Sequence, residues 1–391
     1  MSRILEFEIR GLAGRRKMIR RRLHGDLNVF WGMNGSGKTS LLKILHSALT
    51  NDARILARVP FTSARVTIER EPDNVYVRTI EKESLEPLLA SMQTLSGTDE
   101  FTYLREYQLA EALLRKESMG WVTQPELSKQ NGSFRHGYLP ISRISEGRGG
   151  TRPGRRAVSE SIDEATFDKL FATQIQELWQ EYNSRASFAI RTAQERGLGR
   201  ILTHLLSSSK SPHRPSDAVQ DADEAYLLVK GFIQEQRFGR MVNIGHAAFL
   251  NNYANNPLVQ EVVAEVAEVQ RSVDQALRPQ RKIEELLGQL YFGRKTVELQ
   301  GRHVIVMVGS EPIALEHLSS GEKQLLQLLL ECLTAGDNPV IIDEPELSLH
   351  VDWQQQLVEH MQSVNSNAQL IMATHSPEVM SLLSDNNIIE L

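Results

Sequence analysis

The segment Gly32-Met33-Asn34-Gly35-Ser36-Gly37-Lys38-Thr39 restricts this chain more than any other stretch of it. An apolar run, Leu27-Asn28-Val29-Phe30-Trp31, comes before it. Ser40 to Leu49 follows, with Leu41, Leu42, Ile44 and Leu45 at helical spacing. Strand, glycine-rich turn and helix in that order are what a phosphate-binding loop of the pattern G-x-x-x-x-G-K-[ST] requires. Glycines let the backbone turn tightly, so that successive N–H groups converge on phosphate oxygens. The following helix adds its positive end. Asn34, Gly35, Ser36, Gly37 and Ser40 are therefore candidate nucleotide contacts. Lys38 is placed to reach the β- and γ-phosphates, and the Thr39 hydroxyl to ligate Mg2+.

A second segment supplies what such a loop lacks. Val340-Ile341-Ile342-Asp343-Glu344 reads as a strand buried on both faces that ends in two carboxylates. Asp343 is the candidate to hold Mg2+, directly or through water. Glu344, one residue on, points differently and is the candidate to polarise an attacking water. Solvated acids at a strand end are common, so this pair gains its meaning from the glycine-rich loop.

The remaining pattern describes an α/β chain with a helical middle. Ile4 to Ile9 alternate apolar and charged, and Ala64 to Glu69 with Val75 to Glu81 read as a hairpin around Pro72-Asp73-Asn74. Ser161-Ile162-Asp163-Glu164 has a capping-box pattern before a helix carrying Phe167, Leu170, Phe171, Ile175 and Leu178. Val259, Val262, Val266, Val269 and Val273 form a short heptad-like seam, expected to stop at Pro279 and to pack in a local bundle. Gly147 to Arg156 and Ser207 to Ser216 read as exposed loops. Strands return at His303–Val308, Val340–Ile342, Gln369–Ala373 and Asn387–Glu390.

Composition excludes several classes. The formal net charge is -5, so no global basic field announces nucleic acid. One cysteine, Cys332, excludes a disulfide framework and a zinc ribbon. The sequence has no apolar run of membrane-spanning length and no signal-like N-terminus, so a cytoplasmic protein without a membrane partner is expected.

Leu318-Ser319-Ser320-Gly321-Glu322-Lys323-Gln324, leading into a leucine-rich helix, resembles the ABC signature LSGGQ in the form LSSGE. A serine and a glycine at a helix start make a further anion site. The resemblance covers Ile4 to about Leu49 and about His303 to Leu391, with the motifs in the family's order. It implies an ABC-type P-loop NTPase head: a mixed sheet flanked by helices, an N-terminal antiparallel β lobe and a large helical insertion. The head is expected at 1–150 and 291–391, and the insertion at 151–290. The cofactors implied are ATP and Mg2+. Ser319, Ser320, Gly321 and Glu322 would close over the γ-phosphate held by a second head. His375, in Thr374-His375-Ser376-Pro377, would be the switch residue that contacts the γ-phosphate.

The form Asp343-Glu344-Pro345-Glu346-Leu347-Ser348-Leu349-His350 looks like compact ATPases related to the OLD, RecF and SMC proteins, where this loop lies across the dimer interface. A homodimer or a higher even-numbered homo-oligomer is implied. The sequence ends soon after His375, without the nuclease domain of OLD proteins. The leading expectation is an ATPase switch acting with a separate effector, a nuclease or toxin, as in prokaryotic anti-phage defence. A RecF-like DNA-binding ATPase is the alternative, on the basic stretch Arg15, Arg16, Lys17, Arg20, Arg21 and Arg22 and the loop Arg148 to Arg156. A transporter ATPase fits the loop and the insertion less well. Tyr138 to Arg143 is the candidate glutamine loop.

Overall fold

Strands that are apolar along their whole length can be satisfied only inside a sheet covered on both faces, and three such runs organise this chain. In the computed structural model, which describes residues 1–85, 120–125, 132–140, 164–206, 221–235, 244–291 and 293–391, the chain begins with β1 (Ser2–Arg10), β2 (Ile19–Arg22) and β3 (Leu27–Trp31). Helix α1 (Lys38–Thr50) follows, then β4 (Ser63–Arg70), β5 (Val75–Glu81), β6 (Val122–Gln124) and β7 (Gly137–Leu139). The middle carries α2 (Glu164–Leu206), α3 (Ala222–Glu235), α4 (His246–Asn255) and α5 (Pro257–Leu290). The last third holds β8 (Thr296–Gln300), β9 (His303–Val308), β10 (Glu311–Ile313) and α6 (Ser320–Ala335). It ends with β11 (Val340–Asp343), α7 (Val351–Val364), β12 (Leu370–Thr374), α8 (Pro377–Met380) and β13 (Ile388–Glu390).

The chain forms two compact units, residues 1–179 with 283–391, and residues 180–282. These divisions fall inside the long helices α2 and α5, whereas the sequence pattern had suggested 150 and 290. In the first unit, β13-β3-β12-β11-β7 form a sheet in which every pairing is parallel. A separate antiparallel sheet runs β2-β1-β4-β5-β6, and β8 to β10 make a small antiparallel meander. Helix α1 is largely buried because the core around it spans both larger sheets: Leu41, Leu42, Ile44 and Leu45 share a cluster with Phe7, Val66 and Ile68 and with Ile341, Ile371 and Ala373.

The alternation of β1 is broken once. Ile4, Phe7 and Ile9 are all buried, a spacing of three and then two, because the register against β4 shifts between Ile4 and Glu6. Buried Gln369 satisfies the backbone beside this bulge. Its Oε1 accepts from Ile4 N at 2.9 Å, and its Nε2 donates to Ile4 O at 2.8 Å. Gln369 thus precedes β12 and stitches the two sheets together.

The second unit is helical. Val263, Val266, Val269 and Val273 of α5 pack against Ile201, Val229, Phe232, Phe249 and Tyr253, the local bundle that the valine seam suggests. Gly197 lies so close that a Cβ there would sit 2.1 Å from Val269 Cγ2. The stop expected at Pro279 does not occur, since α5 runs through it to Leu290. A proline removes one intrahelical bond and crowds the carbonyl four residues back, a local cost. Ile283, Leu286, Leu287 and Leu290 continue the helical spacing as buried residues beyond it, and this burial carries the helix on.

Among the described residues, no helix is long and apolar enough to cross a membrane. The capping-box residues 161–163, the loops at 147–156 and 207–216, and residues 141–143 of the candidate glutamine loop lie outside the described residues.

Candidate nucleotide site

In an all-parallel sheet the strand ends that carry loops share one edge, which is where ligands bind in open α/β sheets. Here β12 lies between β3 and β11, with Thr374 paired to Trp31 and Asp343 paired to Ala373. The glycine-rich loop after β3, His375 after β12 and the two carboxylates after β11 therefore emerge at the same edge. Three segments far apart in sequence meet there.

The glycine-rich loop forms as its residue types require. Gly37, at φ 100°, precedes α1. A Cβ on Gly37 would lie 3.1 Å from both Leu12 Cγ and Ala13 Cβ, so space as well as backbone angle favours glycine. Gly37 gives α1 no side-chain cap. The first amides of α1 thus keep their capacity for an outside acceptor. Lys38 is buried, and its Nζ donates to Gly32 O at 2.6 Å and Met33 O at 3.3 Å. Asn34 and Gly35 are exposed, while Thr39 and Ser40 are half-buried at the helix start.

Three groups at this edge have buried atoms without a hydrogen bond: Ser36 Oγ, both carboxylate oxygens of Asp343, and Glu346 Oε2. Burial is the main cause that pushes the Asp343 carboxyl up to about 6, and Glu344 adds to it. The Thr39 hydroxyl, Lys43 and Lys38 oppose the rise. Thr39 is near enough to Asp343 to favour its charged form, though neither Asp343 oxygen reaches full hydrogen-bond geometry. A buried carboxylate with both oxygens unmatched, beside a threonine hydroxyl, is a hard oxygen donor set that suits Mg2+. The orphaned Ser36 hydroxyl beside Lys38 suits a phosphate. The residues present therefore fit the Mg2+ and nucleotide that the motifs imply.

Glu344 departs from strand geometry at φ 51°. Its Oε2 lies 2.9 Å from His375 Nδ1. The sequence-level candidates for water activation and for the switch are thus in direct contact. A third residue, passed over in the sequence, organises both. Glu346 is 6% exposed, and its Oε1 accepts from Thr374 Oγ1 at 2.6 Å, His375 N at 3.1 Å and Ser376 N at 3.2 Å. The same oxygen lies 3.4 Å from His375 Nδ1. Candidate ligand atoms of Glu344, Glu346 and His375 lie within 4.8 Å of one another. The hydrogen bonds already account for this closeness.

The start of α6 is built differently. Ser319 is its N-cap, with a complete capping box: Ser319 Oγ accepts from Glu322 N at 3.3 Å, and Glu322 Oε2 accepts from Ser319 N at 2.8 Å. Glu322 Oε2 also accepts from Lys295 Nζ at 2.7 Å, and Tyr291 Oη donates to Glu322 O. Burial pushes the Glu322 carboxyl up, but the bonds from Lys295 and Ser319 outweigh it and leave it lowered. Ser320 is exposed. Gly321 is buried, and a Cβ there would lie 2.7 Å from Ser348 O. The signature-like turn thus packs on the 344–350 loop of its own unit, and Ser319 serves as a capping serine.

Residues 160–381, more than half of the chain, match the sequence profile described as "AAA domain, putative AbiEii toxin, Type IV TA system". The chain belongs to this AAA-domain family. The match begins after the glycine-rich loop and takes in the signature-like turn, Asp343, Glu344 and His375. Two curated relatives are similar to parts of this AAA-domain chain. A retron Vc95 probable ATPase of Vibrio cholerae serotype O1 biovar El Tor is 30% identical over 188 residues, which is 45% of this chain and 34% of that protein. A retron Ec83 probable ATPase of Escherichia coli is 30% identical over 121 residues, 27% of this chain and 22% of that protein. The chain thus matches about a third or less of the length of these relatives.

Among solved structures, the Smc head domain of Pyrococcus furiosus with an extended coiled coil, bound to the C-terminal domain of ScpA, has a TM-score of 0.45 at 13% identity. The alignment covers 100% of this chain and 93% of that one. A Smc head domain of Pyrococcus yayanosii gives 0.41 at 12% identity, with 100% and 95% covered.

The basic stretch near the N-terminus is partly neutralised within its own sheet. Arg20 Nε lies 2.6 Å from Glu6 Oε1 and 3.1 Å from Glu8 Oε1 across the β1–β2 pairing. No described contact singles it out as a nucleic-acid surface.

Proposed function

We propose that this AAA-domain protein binds ATP with Mg2+ and hydrolyses it, with a site completed by a second copy of the chain. The observation that carries the reading is the shared sheet edge, with Lys38 and Ser36 on one side and Asp343, Glu344 and His375 on the other. Lys38 offsets phosphate charge, and Thr39 with Asp343 would hold the Mg2+. When bound, that ion draws charge from the β- and γ-phosphate oxygens. Glu344 orients and deprotonates the attacking water. His375 turns Nδ1 to Glu344, which leaves Nε2 to face a γ-phosphate oxygen, and the ring donates to both only when each nitrogen carries a proton. Glu346 holds the backbone that sets this imidazole in place.

The start of α6 is the proposed trans contact. Ser319, Ser320, Gly321 and Glu322 would close over the nucleotide of the second copy, in a pair related by a two-fold axis. ATP would hold the pair together, and hydrolysis would release it. We further propose that this cycle is a switch for a separate effector protein in prokaryotic defence. The family description, which names a toxin–antitoxin system, and relatives named from retrons support that context.

A mixing experiment tests the composite site. A Lys38→Ala chain and a Ser319→Arg chain, each inactive alone, should regain partial turnover together, because one site of a mixed pair then has both halves intact. Full activity of Ser319→Arg by itself, or no recovery in demonstrated mixed pairs, would reject this reading.

A further inference from the structure

The turn that the two-copy reading assigns to a phosphate already carries a negative charge. Glu322 is the one acidic side chain in Leu318 to Gln324, and it lies in the first turn of α6. An incoming γ-phosphate would meet this carboxylate at close range, and like charges brought together there oppose docking. A neutral glutamine in its place would pose no such conflict.

The structure supplies a counter-charge from elsewhere in the chain. Lys295 lies between α5 and β8, and its Nζ is 2.7 Å from Glu322 Oε2. The two side chains are 22% and 13% exposed, so salt screens them less than a surface pair. The adjacent Lys323 is committed in another direction, with Nζ 2.6 Å from Asp168 Oδ1 of α2. Tyr291, just before Lys295, fixes the same turn through its bond to Glu322 O. The charge on Glu322 is therefore met by Lys295 and not by its sequence neighbour.

We propose that Lys295 is a positioning residue of the composite site. It neutralises Glu322, so that the terminal phosphate of a nucleotide held by a second copy can dock at the start of α6. This inference rests on the two-copy reading. It predicts that the harm done by losing Lys295 comes from the bare Glu322 carboxylate, and that removing the carboxylate undoes it.

Four chains test this: the native chain, Lys295→Met, Glu322→Gln and the double variant. The affinity of a fluorescent ATP analogue is measured at protein concentrations where copies are unpaired, and turnover is measured at saturating ATP. Lys295→Met should keep nucleotide affinity within about twofold and lose turnover by about tenfold or more, since the repulsion acts on docking alone. The double variant should recover about fivefold or more over Lys295→Met. A merely structural role for Lys295 would lower the denaturant midpoint of Lys295→Met along with its turnover, whereas a docking role leaves the midpoint near native. Should Lys295→Met fail to fold, Lys295→Gln with and without Glu322→Gln gives the same comparison.

Normal turnover in Lys295→Met, or a folded double variant no better than Lys295→Met, overturns the proposal. Failure of the underlying reading looks different. Full turnover in Ser319→Arg overturns the two-copy site and this inference with it. Normal Lys295→Met beside an inactive Ser319→Arg overturns this inference alone.

Discussion

Two helix starts in the first unit, those of α1 and α6, meet the same physical problem in opposite ways. Each exposes first-turn amides that no residue of its own helix can accept from. At α6 the chain caps the turn itself, with Ser319 Oγ accepting from Glu322 N and Glu322 Oε2 accepting from Ser319 N and Lys295 Nζ. At α1 it leaves them open. Gly37 gives no side-chain cap, and buried Ser36 Oγ has no partner. A helix start that is left incomplete inside a folded protein is suited to a ligand, whereas a completed one is suited first to stability. On the proposed function, the nucleotide binds at the incomplete end, and the completed end meets it only when two copies come together.

Removing groups at the two ends should therefore do different things. The largest effect is expected from Lys38→Ala. Loss of a charged partner to phosphate costs on the order of 2–5 kcal/mol, or roughly 30-fold to several thousand-fold in affinity. Isothermal titration with ATP should show that loss while circular dichroism and the melting temperature stay near native. Unchanged affinity would break the contrast at its first term.

A smaller effect sharpens it. Ser319→Ala removes the N-cap of α6 and should lower stability by about 1 kcal/mol, read from denaturant midpoints. Ser36→Ala removes a hydroxyl with no hydrogen bond in the chain. It should leave the midpoint nearly unchanged and weaken ATP binding instead. Equal stability losses in the two variants would mean that both ends are structural.

A third effect, read only through pH, concerns the far half of α1. His46 Nδ1 lies 2.7 Å from His136 Nε2, and its ring stacks on Tyr138 at 3.8 Å between centroids. Burial, with His136 adding to it, pushes the His46 imidazole down to about 3 from the usual 6.5. The folded chain keeps His46 neutral where the unfolded chain would protonate it. Its contribution is therefore present above pH 6.5 and is lost as pH falls from there toward 3, by up to about 1.4 kcal/mol per pH unit. Asp343, pushed up to about 6, acts in the opposite sense as pH falls from about 6 toward its ordinary 3.8. Because Asp343 acts alike in both chains, the difference between native and His46→Asn melting curves reads His46 together with its contact to His136. The native chain should lose more stability between pH 7 and about pH 5. Parallel curves would mean that His46 does not carry the linkage.

How much of this was legible in the sequence depended on the range of the forces involved. The strand before Lys38, the strand ending at Asp343 and the hairpin at 63–81 are written locally, in apolar runs and alternation, and the structure follows them. The glycine pattern likewise marks its loop without help from the rest of the chain. What was not legible arises between distant residues. Glu346 looks like one more acid in a polar loop, and only the folding of Thr374 to Ser376 around it makes it a buried clamp. Lys295 and Glu322 carry no mutual signal until α6 and the turn after α5 come together. Pro279 is a helix breaker on local grounds, but the buried residues on both sides of it decide the outcome. The signal that could have corrected this was present, in Ile283, Leu286, Leu287 and Leu290 at helical intervals.

Gly321 has a consequence of another kind. With Ser348 O where a Cβ would come within 2.7 Å, there is no clearance between the α6 turn and the loop that begins at Glu344. Parts without clearance cannot slide past one another; they travel as one piece or separate. If phosphate loss reshapes the loop that carries Glu344 and Glu346, the displacement has no slack to be absorbed in. It reaches the start of α6 at full stroke, on the surface that the proposed second copy would grip.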